Sequence, residues 1–433
     1  MTSHTVATET PNRATETSWG KWDTGLAVGL WILAVAAART ILSWDSFEYL
    51  SSAKSLFSDD IGRWYEWIRE PLYPLVIRIS AVLFGPSDLG MVAVQATIVV
   101  LAVAWFSNQW FRGRRWIRRT AMVLIIANPV VLGFTGFVGQ QALLLALVCA
   151  TAAWMSMIAD SQRSSQRLIV AIAAGLGIAW VLTAALFVPI VVAVAAYVWL
   201  APRWSYAQIQ LLRTTYIDRE TATRAAIVLV LSGVIALSAW WAFKAVVISD
   251  ADNASTMDHH WIWEYGDPPP SSTNNTLSQK ILAFLALGPD DIVNPWVAKE
   301  LVIFSGIHPD TSDRCGVVTS GDPATIDYTK GYIKLSCRPV WAFWLHQSLA
   351  PIGLILYRVS LMALFLGTVA GVFASRFRVF SLIAVAFLLP YLVGGIGISR
   401  YAVPLYPLGI AVLLTLAAAF IPQHFGTGRT EVD

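Results

Sequence analysis

The feature that most limits the fold of this chain is a succession of apolar runs. Each approaches the ~20 residues a helix needs to cross a bilayer. They fall near 24–42, 90–110, 120–136, 138–158, 168–185, 186–201, 226–247, 348–372, 379–396 and 402–421. The chain is 13% charged and 56% hydrophobic, whereas a soluble domain carries about 25% charged residues. The fold class implied is all-α, a polytopic transmembrane protein of ten spans, with membrane lipids as its solvent. The stretch 72–84 is shorter and carries Arg78, so it is expected to lie on the membrane surface.

Orientation follows from the arginines, because short cytoplasmic loops collect basic residues. Arg112, Arg114, Arg115, Arg118 and Arg119 form the densest cluster. Arg163 and Arg167, then Arg203, Arg213, Arg219 and Arg224, then Arg376 and Arg378 mark further loops. All four share one side only if 72–84 does not cross. Both termini are then cytoplasmic, and the loops 43–89 and 248–345 face outward, toward the periplasm or cell exterior of an inner membrane. The expected organisation is a cytoplasmic tail over 1–23, an N-terminal membrane module over 24–247, and a large outer loop over 248–345. C-terminal helices over 346–421 and a tail over 422–433 complete it. The first 20 residues are polar and show no cleavage pattern, so the first apolar run is expected to act as an uncleaved anchor. The net charge of +3 comes from basic residues in short clusters between apolar runs; membrane topology explains these, and nucleic acid is not an expected partner.

The chain contains no Gly-rich phosphate loop, no His-Glu-x-x-His helix and no Cys-x-x-Cys pair. Acids, arginines and aromatics on the outer face remain. Asp45 and Glu48 follow the first apolar run and are three residues apart, which on a helix puts both carboxylates on one face. A carboxylate there suits proton abstraction from an attacking hydroxyl. An arginine such as Arg69 suits a phosphate, since the guanidinium binds its oxygens in bidentate fashion. A solvated first loop is the plainer reading of the same residues.

The stretches Trp44-Asp45-Ser46-Phe47-Glu48-Tyr49 and Arg69-Glu70-Pro71-Leu72-Tyr73-Pro74 resemble the first outer loop of the GT-C superfamily of membrane glycosyltransferases. The likeness is to the branch holding protein O-mannosyltransferases and lipid A aminoarabinose transferases. Gly397-Ile-Ser-Arg400-Tyr401-Ala-Val-Pro404 resembles that branch's Arg-Tyr-x-x-Pro pattern near the last spans. Asp-Ser stands here where many relatives carry two adjacent acids. The resemblance implies inverting transfer of a sugar from a polyprenyl-phosphate donor to a glycan, lipid or protein acceptor. Asp45 matches the catalytic base. Glu48 would assist or orient the acceptor, Arg69 and Arg400 would face the donor phosphate, and Tyr73 and Tyr401 would line the substrate site. A polymerase or ligase of lipid-linked glycans, and a transporter or flippase, are the competing readings. The last predicts charged or broken segments in paired halves, and the sequence shows no such symmetry.

His259 and His260 open the large loop with Glu264 and Asp267 behind them. Substrate contacts, a divalent metal and an ordinary solvated loop are all open readings, and no metal ligands are assigned. Arg39 falls inside the first run and is expected to snorkel outward. Cys315 and Cys337 are 22 residues apart in the outer loop. Their placement outside the cytoplasm predicts a disulfide, which in the chain-entropy model stabilises by about 3 kcal/mol. Cys149, inside an apolar run, is expected to be inert.

Overall fold

The computed structural model describes residues 19–42, 46, 49–50, 52–53, 70–159, 166–184, 188–200, 219–247, 317–318, 335–371, 377–394 and 402–420. Its elements are α1 (Lys21–Ala37), β1 (Ile41–Leu42), α2 (Leu72–Phe84), α3 (Asp88–Trp110), α4 (Arg115–Ile126) and α5 (Pro129–Gly136). Then follow α6 (Gln141–Ala159), α7 (Gln166–Thr183), α8 (Val188–Leu200), α9 (Arg219–Val247) and β2 (Val317–Val318). The last are α10 (Val340–Gly371), α11 (Arg378–Gly394), a 3-10 turn (Val403–Leu405) and α12 (Tyr406–Phe420).

Five of these helices are long and apolar enough to cross a membrane, and a sixth span is formed if α4 and α5 count as one. Large apolar side chains such as Leu101, Ile235 and Ile352 are exposed on the outside of the bundle. Water would make such surfaces costly, whereas lipid accepts them, so the molecule is a polytopic helical membrane protein. Helices pack closely through small residues, as membrane helices do. A Cβ on Gly177 of α7 would stand 2.2 Å from the Leu229 carbonyl of α9.

The structure differs from the expected spans at three places. The run 120–136 is two helices, α4 and α5, bent by 55°. Asn128-Pro129 makes the break, with Asn128 capping the Val130 N–H at 2.8 Å and Pro at the first helical position. Asn128 also donates to the Gly353 carbonyl and the Tyr406 hydroxyl, and Tyr406 donates to the Leu124 carbonyl. Backbone groups freed at the bend thus find partners inside the protein. The second difference is the start of α10 at Val340, ahead of the apolar run expected from 348. Trp341 and Trp344 stand exposed near the start of α10. The third is α1, which ends at Ala37; residues 41–42 pair as extended chain.

α2 begins and ends at one end of the bundle. Near its start the Tyr73 hydroxyl lies 3.4 Å from the Phe137 carbonyl. Just past its end, Asp88 accepts from Thr40. Phe137 is bridged to Ile41, next to Thr40. A 13-residue helix is about 20 Å long, short of a ~30 Å hydrocarbon core. Pro71 and Pro74 are tolerated because they fall before or within its first turn, where N–H groups lack helical partners.

Candidate functional site

The end of the bundle where α1 stops and α3, α6 and α10 start gathers buried polar residues, among them Arg39, Thr40, Asp88, Arg338 and His346. β1 sits between two other segments there. Ile41 and Leu42 pair in parallel with Val317 and Val318 of β2. On the other side Val138 N–H donates to the Ile41 carbonyl at 3.0 Å. This fixes the chain just before Ser43-Trp44-Asp45.

Beneath β1 lies a charged clamp. Arg338 Nε donates to the Ala38 carbonyl at 2.7 Å, and its Nη2 reaches Thr40 Oγ1 at 3.2 Å. The same Nη2 lies 3.3 Å from Asp88 Oδ2, and Thr40 donates to that oxygen at 2.7 Å. Arg338 and Asp88 are both shut off from solvent. Burial pushes the Arg338 guanidinium down from its ordinary value, and Asp88 pushes back up. Three segments are tied by one ion pair: the exit of α1, the start of α3 and the residues before α10.

Arg39 does not snorkel. It is 1% exposed and its guanidinium lies 5.3 Å from the centre of the Phe343 ring, a cation–π arrangement. A glycine permits this close turn of the backbone: a Cβ on Gly136 would stand 1.8 Å from the Arg39 carbonyl. One turn along α10 from Phe343, His346 is buried with Nε2 3.1 Å from the Pro129 carbonyl.

Of the residues singled out in the sequence, Tyr73 is described and is buried, 1% exposed. Its ring meets Tyr49 edge-on at 4.9 Å, so the two stretches that carry the resemblance touch. Its hydroxyl donates to the Phe137 carbonyl at 3.4 Å, the same oxygen that takes the Gly139 N–H at 3.0 Å. Asp45, Glu48, Arg69, His259, His260, Cys315, Arg400 and Tyr401 lie outside the described residues. Cys149 is a buried free thiol. Cys337 is disulfide-bonded; because Cys315 lies outside the described residues, its pairing with Cys337 remains a proposal. Among the described residues no group of three or more His, Cys, Asp and Glu could hold a metal ion.

The sequence reading missed Asp88, Arg338, Thr40 and His346. Asp88 looks like an ordinary first-turn acid that complements a helix dipole. The available signal was a charged residue at each border of an apolar run, which demands a partner.

The fold defines a helical membrane protein with buried polar residues gathered at one end. No protein-family model matches the sequence, and no curated protein matches it. Two solved structures of ArnT from Cupriavidus metallidurans are similar. The one bound to undecaprenyl phosphate is 17% identical, with 91% of this chain and 76% of that chain covered and a TM-score of 0.40. The one in the apo state is 18% identical, with 91% and 75% covered and a TM-score of 0.41.

Proposed function

We propose that this chain is a GT-C type glycosyltransferase that moves a sugar from a polyprenyl-phosphate donor to a glycan, lipid or protein acceptor. The site faces the outer side of an inner membrane. The observation that carries this reading is the contact between the two halves of the resembling pattern. Tyr49, four residues after Asp45, packs on Tyr73, four residues after Arg69. The carboxylate and the guanidinium thus belong to stretches that the fold brings together at one end of the bundle.

In the proposed reaction the acceptor hydroxyl oxygen attacks the anomeric carbon. Asp45 takes its proton. The bond from the anomeric carbon to the phosphate oxygen breaks, and the polyprenyl phosphate leaves with the electron pair. Attack opposite the leaving group inverts the anomeric configuration. Arg69 and Arg400 hold the departing phosphate. A Cys315–Cys337 bond would tether the outer loop one residue before Arg338, so that the loop closes over the clamp.

Replacing Asp45 by Asn keeps the shape and removes the base. Asp45→Asn is expected to abolish transfer while the folded protein still binds polyprenyl phosphate. Near wild-type turnover by the purified variant refutes the assignment.

A further inference from the structure

The end of the bundle opposite the clamp carries a cationic turn that the fold itself does not use. α3 stops at Trp110 and α4 begins at Arg115. Between them Gly113 sits in the left-handed region at φ 74°, where a side chain would be strained. Phe111 is buried, and its carbonyl accepts the Arg114 N–H at 3.1 Å. The turn is therefore fixed, and it holds Arg112, Arg114 and Arg115 exposed. Arg112 has a local task. It donates to Gln109 and complements the C-terminal dipole of α3. Among the described residues the side chains of Arg114 and Arg115 make no hydrogen bond or ion pair. They open α4, whose first turn holds no acid and whose start has no side-chain cap, so they oppose the helix dipole.

The start of α1 adds to the same surface. Asp23, the third residue of α1, pairs with Arg118 and Arg119, one helical turn past Arg114 and Arg115. Lys21 and Trp22 therefore stand beside the turn, and both are exposed. Asp23 is buried with both oxygens already taken, so it cannot neutralise the exposed arginines. Trp22 is 72% exposed and Trp116 is 80% exposed. Such indoles suit a membrane surface, where the ring enters the acyl boundary and the N–H meets headgroups. Membrane orientation needs basic residues somewhere in a loop. It does not need them fixed on a glycine turn between two exposed indoles.

The exposed groups select the ligand. A guanidinium binds phosphate oxygens in bidentate fashion. Indoles at the acyl boundary require that phosphate to belong to a lipid. Cations without a nearby free acid favour a headgroup of net negative charge over a zwitterion. We infer that Lys21, Trp22, Arg114, Arg115 and Trp116 form a surface for the headgroup phosphate of anionic phospholipids in the leaflet at this end. It is independent of what the other end catalyses.

The test uses the full-length protein in neutral detergent, with bound lipids counted by native mass spectrometry. Phosphatidylglycerol is compared with phosphatidylcholine of the same chains. The wild type is expected to hold phosphatidylglycerol at least about tenfold more tightly, since each basic residue near an anionic surface contributes about fivefold. Arg114→Gln with Arg115→Gln is expected to remove most of that preference. Phosphatidylcholine binding and the melting midpoint stay unchanged. Arg167→Gln with Arg219→Gln removes the same charge from exposed positions on α7 and α9, and this pair is expected to keep the preference. Raising the salt about tenfold should weaken the wild-type preference by screening. Equal binding of the two lipids by the wild type overturns the surface. So does a turn variant that keeps the preference, or a control pair that loses as much, because net charge then explains it. A lowered melting midpoint in the turn variant overturns the claim that these arginines are idle in the fold. A wild-type preference that survives the salt overturns the headgroup contact without any variant.

Discussion

The two ends of the bundle each bury an aspartate against arginine, and they do so differently. At one end Asp23 of α1 uses both oxygens. Oδ1 takes Arg119 Nε at 2.8 Å, and Oδ2 takes Arg118 Nη2 at 2.6 Å and the Gly20 N–H at 3.0 Å. Arg118 is further held by Asn108 and lies 5.7 Å from the Trp19 ring centre. At the other end Asp88 uses only Oδ2; Oδ1 has no hydrogen-bond partner. The first end is a latch whose acid is saturated, and it ties α1 to α4. The second end leaves its acid with an open oxygen, whereas at the first end the open buried atoms are Arg118 Nε and Ser107 Oγ. Natural proteins depart from complete polar satisfaction chiefly where a site must accept something.

The largest expected effect concerns which end faces which side, because labelling there is all or none. Arg114 is exposed at the latch end and Ser87 is partly exposed at the clamp end. In a background without other reactive thiols, Arg114→Cys should be shielded from an impermeant reagent added outside. Ser87→Cys should react. Reaction at both positions would place the two ends on one side and break the comparison.

Next comes the clamp. Asp88→Ala leaves Arg338 buried without its carboxylate. Breaking one side of a buried pair costs about 3–5 kcal/mol. The melting midpoint in detergent should fall steeply, and a change within error would mean that Arg338 finds another anion. Asp23→Ala should cost less, about 1.5–3 kcal/mol, the range for hydrogen bonds to a charged group. The reason is that Arg119, at 28% exposure, can turn toward water, while the buried Arg118 keeps Asn108 and the Trp19 ring as partners. Equal losses at both ends would show that the latch is as deeply sealed as the clamp.

Much of the fold was legible because burial in lipid demands long apolar runs, and α3, α6, α7, α9 and α10 follow from them. The α4–α5 break carried a local sign, Asn128-Pro129, inside a run whose hydropathy masks it. The clamp carried only a charged residue at each border of an apolar run, with nothing to pair the two. Arg338 and Thr40 are 298 residues apart, and an arginine at the end of a polar loop looks like any solvated one. Arg39 misled for the opposite reason: length alone suggests snorkelling, and only the Phe343 ring across the bundle shows why it stays inside. The first-loop acids were singled out by local facts, their position after a span and their spacing, and they lie outside the described residues.

The smallest expected effect is the most informative about the clamp. Replacing both charges, Asp88→Leu with Arg338→Met, removes the pair without leaving either ion alone. Apolar replacement of a buried pair is often neutral or stabilising. Three donations are lost with Arg338, to the Ala38 and Ser336 carbonyls and to Thr40 Oγ1, and Thr40 loses its acceptor. These oppose the gain, so the net change should be within about 1–2 kcal/mol of wild type, well short of Asp88→Ala alone. If the pair serves only stability, the double variant should also keep its activity. The geometry argues otherwise, because Arg338 holds the backbone at Ala38 and Thr40 in the register that β1 carries toward Asp45. A folded double variant with a normal melting midpoint and turnover lowered at least tenfold is therefore the expected result, read as a fall in kcat with donor binding kept. Wild-type kcat in that variant would reduce the clamp to a second latch, and the two ends of the molecule would differ only in how many oxygens are filled.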